Sequence, residues 1–350
     1  MRIKRVTLRD VAQEAGVSLT TASIILNEKP GYSFHPDTIK RVWSVARATG
    51  YLPSGESSPR IQEAKDTIYI ITPSMSGYYY AALVQGIEQQ ADLQGYNTFC
   101  YQIYRQEERE ERIIRHAVDS HAAGLIFTYL PIHHEMLEGL NIPVVVVSEH
   151  NRQMHLDCVE TNSSFASQQL IRHLTALGHK RIGFLNDRFE WEGFPSSPRA
   201  ERFREVFATA CPDGELVTFN SRIDFGLREE YFEYRHRARS GYELAKTALT
   251  QRPDLTALVC VCDVYALGAM QYARENHLAI PGDISICGFD NNYAGDMLDL
   301  TTFDHKTEVI GSTAFTLLLE KIRGSASGLL QKFEVVGEVV ERGSTGPARE

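Results

Sequence analysis

The chain has 350 residues, of which 43% are apolar and 23% charged, the composition of an ordinary globular protein with two or three domains. No apolar run approaches the roughly 18 residues that a membrane span needs. The opening residues MRIKRVTLRD lack the apolar segment of a secretory signal. We therefore expect a cytoplasmic protein whose six scattered cysteines are reduced.

Charge is distributed unevenly along the chain. Residues 1–60 hold nine Lys or Arg and five Asp or Glu, whereas the formal net charge of the whole chain is −9. A basic N-terminal end on an acidic body indicates a nucleic-acid-binding arm joined to a solvated domain. An excess this small is also compatible with chance, so the argument depends on the elements that follow.

The first predicted elements are two short helices on either side of one Gly-Val-Ser. Thr7 and Asp10 form a capping-box pattern that starts the first helix. Gly16 ends it, because glycine adopts the left-handed conformation without a Cβ clash. Ser18 can cap the second helix, which should run to about Asn27. Its inward side chains are small or aliphatic: Ala22, Ile25 and Leu26.

The outward face of the second helix carries hydroxyls, one amide and two aliphatic groups but no charge: Leu19, Thr20, Thr21, Ser23, Ile24 and Asn27. Such a face is typical of a helix that meets phosphates and base edges. The segment predicts a helix-turn-helix that enters the major groove, and the alternative is a helical subdomain that only packs on the body. A third helix should start with Pro36 at its first position, bury Ile39, Val42, Trp43 and Ala46, and close at Gly50.

Residues 67–345 alternate β-rich runs with helical patterns. The β-rich runs are Thr67–Thr72, Tyr96–Ile103, Gly124–Leu130, Ile142–Glu149, Arg181–Leu185, Leu216–Asn220, Ala257–Cys262 and Asp283–Phe289. The helical patterns are Ala81–Leu93, Glu107–Val118, Phe165–Leu177, Pro198–Ala210, Ser240–Thr250 and Val264–His277. This alternation predicts parallel sheets in two α/β lobes, with ligands at the carboxyl ends of the strands, in a cleft between the lobes.

Candidate ligand-binding residues are polar or aromatic side chains that follow the predicted strands: Ser74, Tyr78, Tyr79, Tyr80, Ser148, Glu149, Arg199, Arg202, Cys262, Asp263 and Asp290. Carboxylates, arginine forks and aromatic faces bind sugar hydroxyls and rings. Each candidate also has a structural alternative. Asp263 can simply cap the helix that it begins, Arg202 can pair with a neighbouring glutamate, and the tyrosines can serve only for packing.

Several motifs occur in an order that resembles the lac repressor (LacI/GalR) family of bacterial transcription regulators. They are TLRDVAQEAGVS from residue 7, GYLP at 50–53, LGHKRI at 177–182, Asp263 with ALGA at 266–269, PGDISICGFD at 281–290, LTT at 300–302 and RGST at 342–345. The resemblance implies an all-α helix-turn-helix head and an α/β two-lobed sensor domain of the periplasmic-binding-protein type. It implies a head over residues 1–53, a hinge over 54–66, and a sensor over 67–350. The first lobe would comprise about 67–160 and 291–324, and the second about 161–290 and 325–345.

The resemblance also implies roles for individual residues. Leu19, Thr20 and Ile24 would read bases, and the DNA-binding set as a whole would be Thr7, Ser18, Leu19, Thr20, Thr21, Ser23, Ile24, Asn27, Tyr51, Arg60 and Ile61. The effector-binding arginine of the family's R-x-x-G-aromatic pattern would be Arg202, with Glu205 in place of the glycine. Asp290 would be the aspartate of the G-aromatic-Asp pattern, and Cys262 replaces the asparagine that precedes Asp263.

The hinge departs from the family, whose short hinge helix presents a leucine to the minor groove. Arg60 stands where that leucine is expected. In one alternative the segment forms no helix and Arg60 enters a narrow minor groove by its charge. In the other, which we favour, a helix starts later, with Ser58 as its cap, Pro59 at its first position and Ile61 as an apolar wedge.

The function that these observations favour is a homodimeric, sequence-specific DNA-binding repressor. Its partners would be a pseudo-palindromic operator and a small carbohydrate effector, and it would need no cofactor or metal. Cys260 and Cys262 lack a second ligand pair at zinc spacing, and no P-loop, GxSxG or strand-linked GxGxxG occurs. The alternative from another functional class is a two-lobed α/β metabolic enzyme with a helical cap. A third interpretation is a periplasmic binding protein, against which the lack of a signal peptide argues.

Overall fold

The computed structural model describes residues 7–26, 31–49, 66–149, 155–188, 199–222, 233–324 and 329–349. Contacts divide the chain into two compact units, Met1–Ala64 and Lys65–Glu350. No helix in the described ranges is both long and apolar enough to cross a membrane.

The described residues of the first unit form three helices: α1 (Leu8–Glu14), α2 (Leu19–Leu26) and α3 (Pro36–Thr49). The predicted capping box is present, since the Thr7 N–H donates to Asp10 Oδ2 at 2.7 Å and the Thr7 hydroxyl accepts from the Asp10 N–H. Gly16 follows α1 with a φ of 65°, in the left-handed region that glycine adopts without strain. The Ser18 hydroxyl accepts from the Thr21 N–H at 3.0 Å and so caps α2.

Small side chains hold these three helices together. Their shared core consists of Val11, Ala12, Ala15, Ala22, Ile25, Leu26, Val42 and Ala46. The side chain of Arg41 reaches from α3 to the Ala15 carbonyl oxygen at 2.9 Å, at the open carboxyl end of α1. Ile39 is not part of this core, contrary to the prediction, because it is 37% exposed and the core reaches α3 only from Val42 onward.

The second unit contains two six-stranded sheets, each in its own lobe. The sheet of the first lobe is entirely parallel and has the order β11-β5-β4-β3-β1-β2. Its strands are β1 (Thr67–Thr72), β2 (Asn97–Gln102), β3 (Gly124–Phe127), β4 (Val144–Glu149), β5 (Asp157–Thr161) and β11 (Lys332–Glu334). The helices of this lobe are α4 (Tyr78–Leu93), α5 (Glu107–Asp119), α6 (His134–Glu138) and α12 (Thr307–Ile322). Buried aliphatic clusters cover both faces of the sheet, as a parallel sheet requires.

The sheet of the second lobe has the order β12-β10-β9-β8-β6-β7, and β12 runs antiparallel to β10. Its strands are β6 (Arg181–Arg188), β7 (Glu215–Arg222), β8 (Ala257–Cys260), β9 (Ser285–Phe289), β10 (Thr301–Asp304) and β12 (Glu338–Val340). The helices are α7 (Ser163–Ala176), α8 (Arg199–Ala210), α9 (Glu233–Gln251), α10 (Asp263–Glu275) and α11 (Tyr293–Met297). One cluster of buried apolar side chains fills the spaces between these layers.

The chain crosses between the lobes three times, near residues 161–163, 304–307 and 334–338. The predicted lobe boundaries differ from this in two places. β10 was expected in the first lobe but pairs with β9 in the second, and β11 was expected in the second lobe but pairs with β5 in the first. The hydrophobic pattern of such short strands does not indicate which sheet accepts them.

Polar contacts join these three crossovers to one another. Asn162 Nδ2 donates to Glu334 Oε1 at 3.0 Å, which links the first crossover to the third. The Lys306 ammonium lies 2.9 Å from Asp304 Oδ2 and 2.6 Å from Glu338 Oε1, which links the second to the third. Gly337 permits the close approach, because a Cβ there would lie 2.2 Å from the Asp304 carbonyl oxygen.

Candidate functional site

The first lobe contributes aromatic side chains to the cleft between the two sheets. Helix α4 begins at Tyr78, three residues earlier than predicted, so Tyr78, Tyr79 and Tyr80 form its first turn. The Tyr79 ring contacts Tyr80 edge to face, with centroids 5.4 Å apart, and approaches the His305 ring at 6.5 Å. Burial is the largest cause that raises the pKa of Tyr79, and Asp290 adds to it while Arg199 opposes it. Tyr79 therefore senses charges that belong to the second lobe.

The polar candidates of the first lobe occupy the ends of β1 and β4. The Ser74 hydroxyl lies 2.8 Å from the Ser76 hydroxyl, and Ser148 donates to the Glu149 carbonyl oxygen at 3.1 Å. Glu149 Oε1 accepts from the Ser163 N–H at 3.3 Å, at the first crossover. These contacts place Glu149 beside the point where the chain leaves the first lobe.

The second lobe presents Asp290, which follows β9 with a φ of 106°. A non-glycine residue in that region is strained, and such strain is concentrated at ligand sites. Burial raises the pKa of Asp290 to about 6, although Arg199 and Arg237 both oppose the rise. At pH 7 the carboxyl group is therefore mostly ionised, and a hydrogen bond donated to it would favour that form.

Arg199 begins α8 and lies near Asp290. These second-lobe residues form one side of the cleft, which we call the wall. Its guanidinium donates to the Val261 carbonyl oxygen, lies 3.2 Å from His305 Nε2, and stacks 4.5 Å from the centroid of the Phe289 ring. Arg202, by contrast, is exposed and pairs with Glu205 at 2.9 Å, one of the neighbours considered for it. Of the two candidate arginines, Arg199 is thus the one whose guanidinium packs against Phe289 and His305. In that register the aromatic position of the R-x-x-G-aromatic pattern falls on Phe203, which is fully buried, and Arg202 replaces the glycine.

Asp263 and Cys262 are buried parts of the wall. Asp263 Oδ1 accepts from the Thr302 hydroxyl at 2.6 Å, and its Oδ2 accepts from the Asn292 N–H at 2.9 Å. Its side chain is fully buried, and burial together with Asp290 raises its pKa well above the ordinary value. Asp263 therefore joins the loop that carries Asp290 and Asn292 to strand β10, which carries Thr302. Burial raises the pKa of the Cys262 thiol to about 12, so it is neutral at pH 7.

Sequence reasoning missed further members of the wall. Arg237 on α9 pairs with Asp187 at the end of β6, with N and O 3.4 Å apart. The Tyr265 hydroxyl lies 3.0 Å from the Ser221 hydroxyl at the end of β7. These residues were missed because β6 and β7 each continue beyond their predicted ends and α9 starts before its predicted start. No group of three His, Cys, Asp or Glu in the described part of the chain can hold a metal ion.

The helix-turn-helix candidates lie on the accessible side of α2. Leu19 is 46% exposed, Thr20 is exposed, and Thr21, Ser23 and Ile24 are partly exposed. The sequence of α2, LTTASIIL, contains no charged residue. Thr7 and Ser18 are also exposed, although both hydroxyls cap helices. The remaining predicted DNA contacts, and the two alternatives for the hinge, lie outside the described residues: Asn27, Tyr51, Arg60 and Ile61.

A three-helix head followed by a two-lobed α/β domain defines a regulatory protein with a separate sensor domain. Residues 7–54 match the family described as bacterial regulatory proteins, lacI family. Residues 65–205 match the periplasmic binding proteins and sugar binding domain of the LacI family, and 171–345 match a periplasmic binding protein-like domain. The chain belongs to the lacI family of bacterial transcription regulators.

Curated relatives align over nearly the whole chain. A regulator encoded in the aml 5′ region of Streptomyces limosus is 30% identical over 354 residues, covering 97% of this chain and 94% of the relative. The transcriptional repressor PurR of Actinobacillus pleuropneumoniae serotype 3 (strain JL03) is 29% identical and covers 91% of each. These relatives are transcription regulators, so the enzyme alternative is not supported.

Solved structures share the fold. A LacI-family regulator from Silicibacter pomeroyi superposes with a TM-score of 0.70 at 22% identity, over 99% of this chain and 100% of that one. The lac repressor dimer bound to operator and the anti-inducer ONPF gives 0.69 at 22% identity, over 98% and 100%. A LacI-family regulator from Enterococcus faecium with bound ribose gives 0.67 at 21% identity, over 81% and 100%.

Proposed function

We propose that this chain is a dimeric repressor whose hold on a pseudo-palindromic operator is controlled by a small effector bound between the two lobes. The observation that carries the effector proposal is the wall formed by Arg199, Asp290 and the Asp187–Arg237 pair opposite the tyrosines of α4. A cleft with a few converging polar groups and perturbed pKa values is the expected form of a ligand site.

The α2 face supports the DNA-binding part of the proposal. An exposed, uncharged helix face with hydroxyls and aliphatic groups suits base edges and thymine methyl groups in the major groove. One head reads few base pairs, so a symmetric dimer on two half-sites would double the contact. The lac repressor, which is similar in fold, is described as a dimer bound to operator. Such a protein would act in the cytoplasm, on the nucleoid.

The charges of the wall favour a neutral, hydroxyl-rich effector. Two arginines, Arg199 and Arg237, face two carboxyl groups, Asp290 and Asp187, so the wall offers both donors and acceptors without a large net charge. Sugar hydroxyls can donate to the carboxylates and accept from the guanidinium groups, while the tyrosine rings cover an apolar sugar face. A sugar or a related metabolite is therefore our proposed effector class, and one neighbour in fold is described with ribose.

Two experiments test this proposal. The full chain and a variant lacking residues 1–60 are titrated with a duplex library, and only the full chain should select a pseudo-palindromic sequence. The full chain is then screened by thermal shift against sugars, sugar phosphates and nucleosides, since a ligand at 100 times its Kd stabilises the native state by about 2.7 kcal/mol. Equal duplex binding by both chains, or stabilisation only by charged ligands, would contradict the corresponding half of the proposal.

A further inference from the structure

His305 lies in the second crossover, between β10 and α12, and is only 4% exposed. Its ring stacks on Phe289 of the second lobe, with centroids 6.1 Å apart and planes 15° from parallel. On another side it approaches Tyr79 of the first lobe edge to face. A single imidazole on a connection between the lobes therefore touches aromatic side chains from both.

The imidazole also contacts an arginine of the wall. Arg199 Nη2 lies 3.2 Å from His305 Nε2. A guanidinium has only donors, so Nε2 must be the acceptor and must carry no proton, and a neutral ring then carries its proton on Nδ1. Burial lowers the pKa of His305 well below its ordinary value, and the neighbouring Arg199 lowers it further. Electrostatics and geometry thus agree on a neutral ring, and the geometry places its proton on Nδ1.

Three contacts then hold the Arg199 guanidinium in one orientation. The Val261 carbonyl oxygen accepts from Nη1, His305 faces Nη2, and the Phe289 ring supports the flat face. Phe289 is itself covered by the His305 ring, so His305 acts on the guanidinium both directly and through that phenyl group. Removing the acceptor would take away the hydrogen bond between Nη2 and His305 and so weaken the restraint on the guanidinium.

We propose that His305 is a positioning residue for effector recognition. This inference rests on the function proposed above. It orients the Arg199 guanidinium toward the cleft and, from its place on the crossover, connects that orientation to the arrangement of the two lobes. The competing role for His305 is packing alone, in which its ring would matter but its lone pair would not.

Two substitutions separate these roles. His305→Gln keeps a hydrogen-bond acceptor that cannot titrate, whereas His305→Phe keeps an aromatic ring and removes the acceptor. The experiment is NMR spectroscopy on the full chain, labelled with ¹⁵N and ¹³C in arginine and histidine, without added effector. The signals that disappear in Arg199→Lys are assigned to Arg199. The measurements are the imidazole ¹⁵N shifts of His305 and the rate of exchange between the Nη signals of Arg199, which reports rotation about Nε–Cζ.

We expect an unprotonated Nε2 in the parent, slow exchange between the Nη signals in the parent and in His305→Gln, and faster exchange in His305→Phe, which has lost one of the bonds that restrain rotation about Nε–Cζ. Exchange as slow in a folded His305→Phe as in the parent would overturn the proposal. So would a protonated Nε2 in the parent, a result that depends on no variant. Because no effector is present, neither result depends on the proposed function, whose failure would appear instead as the absence of a stabilising ligand in the thermal-shift screen.

Discussion

Tyr78 and Tyr293 meet edge to face with ring centroids 5.0 Å apart and planes at 81°, although they belong to different lobes. Tyr78 begins α4, and Tyr293 begins α11 while remaining 65% exposed. Burial and then Tyr293 raise the pKa of Tyr78 to about 12, so the Tyr78 ring is neutral at pH 7. This pair is a direct contact between the lobes outside the three crossovers.

Tyr293→Ala should loosen this contact without unfolding the protein. An aromatic pair contributes about 0.5–1.5 kcal/mol, and the exposed Tyr293 ring contributes little else. We expect amide hydrogen exchange to become about three- to tenfold faster in the first turn of α4, because RT is about 0.6 kcal/mol. Tyr293→Phe keeps the ring and should exchange like the parent. If Tyr293→Ala also left the exchange rates unchanged, the contact would not stabilise the start of α4.

Asp290→Asn should stabilise the effector-free protein while weakening the effector complex. The folded pKa of about 6 lies above the ordinary 3.8. Ionisation of Asp290 therefore lowers the stability of the fold as the pH rises from about 4 to 6, and the full loss remains at higher pH. An uncharged asparagine should raise the free energy of unfolding by about 1–3 kcal/mol at pH 7.5, with a smaller difference at pH 4.5. Urea titrations at both pH values measure this. The exposed Asp213→Asn is the control and should change neither value.

Effector affinity should also fall as the pH is lowered through about 6, because a protonated Asp290 loses an acceptor for ligand hydroxyls. The measurement is calorimetry, with the ligand found by the thermal-shift screen, between pH 5 and 8. In Asp290→Asn the affinity should be weaker at pH 8 and nearly constant across this range. A parent protein with constant affinity over the same range would show that the ligand does not use the Asp290 carboxylate.

Arg199→Ala and Arg202→Ala form a matched pair three residues apart. A hydrogen bond to a charged group contributes about 1.5–3 kcal/mol, so we expect Arg199→Ala to weaken effector binding about tenfold or more. Arg202 is exposed and pairs with Glu205, so its removal should change affinity by less than about threefold. Calorimetry on both variants would show whether the register of the effector-binding pattern follows Arg199 or Arg202.

His179→Gln should remove an acid-sensitive contribution to stability. His179 is 1% exposed, with Nδ1 2.9 Å from the Thr256 hydroxyl and Nε2 3.0 Å from the Gly346 carbonyl oxygen. Burial is the first cause that lowers its pKa, so the unfolded chain takes up a proton first and stability is lost as the pH falls below about 6.5. The variant should be about 1–2 kcal/mol less stable at pH 7.5, with a shallower loss toward pH 5. His155→Gln, at an exposed position, should retain the slope of the parent.

Ile24→Arg should change the operator that the head prefers. Ile24 lies partly exposed on α2 and can contact only thymine methyl groups, whereas arginine can donate two hydrogen bonds to guanine. Half-sites selected by the parent should favour A·T pairs where residue 24 lands, and the variant should shift toward G·C by about 1–3 kcal/mol per base pair. Selection from a randomised duplex library tests this. The same base preference in both proteins would place residue 24 away from the base edges.

The elements of the head were predictable because their signals are local. Thr7 with Asp10, the left-handed Gly16 and the Ser18 cap each act within one helical turn, and all three are present as predicted. The order of strands in the two sheets was not predictable in this way. β10 and β11 are only four and three residues long, and their sheets are decided by partners far away in the chain.

The cleft was partly predictable for the same reason. Asp290 directly follows β9, and the rule that ligand residues follow parallel strands made it a candidate. His305 and Arg237 escaped that rule because one lies on a crossover and the other on a helix that was predicted too short. To choose between Arg199 and Arg202, one must know which face of α8 packs inward, because the side-chain direction rotates by most of a turn over three residues. Only packing decides which face that is.

Each sheet receives one of its edge strands from a stretch of nine residues, because β11 closes the first sheet and β12 the second. During synthesis, which proceeds from the N-terminus, β5 in the first sheet and β10 in the second therefore remain edge strands until residues 332–340 have been made. Exposed edge strands can pair with other chains, so a chain cut short before Lys332 would present β5 and β10 to such pairing, one in each lobe. The same short segment therefore completes both lobes.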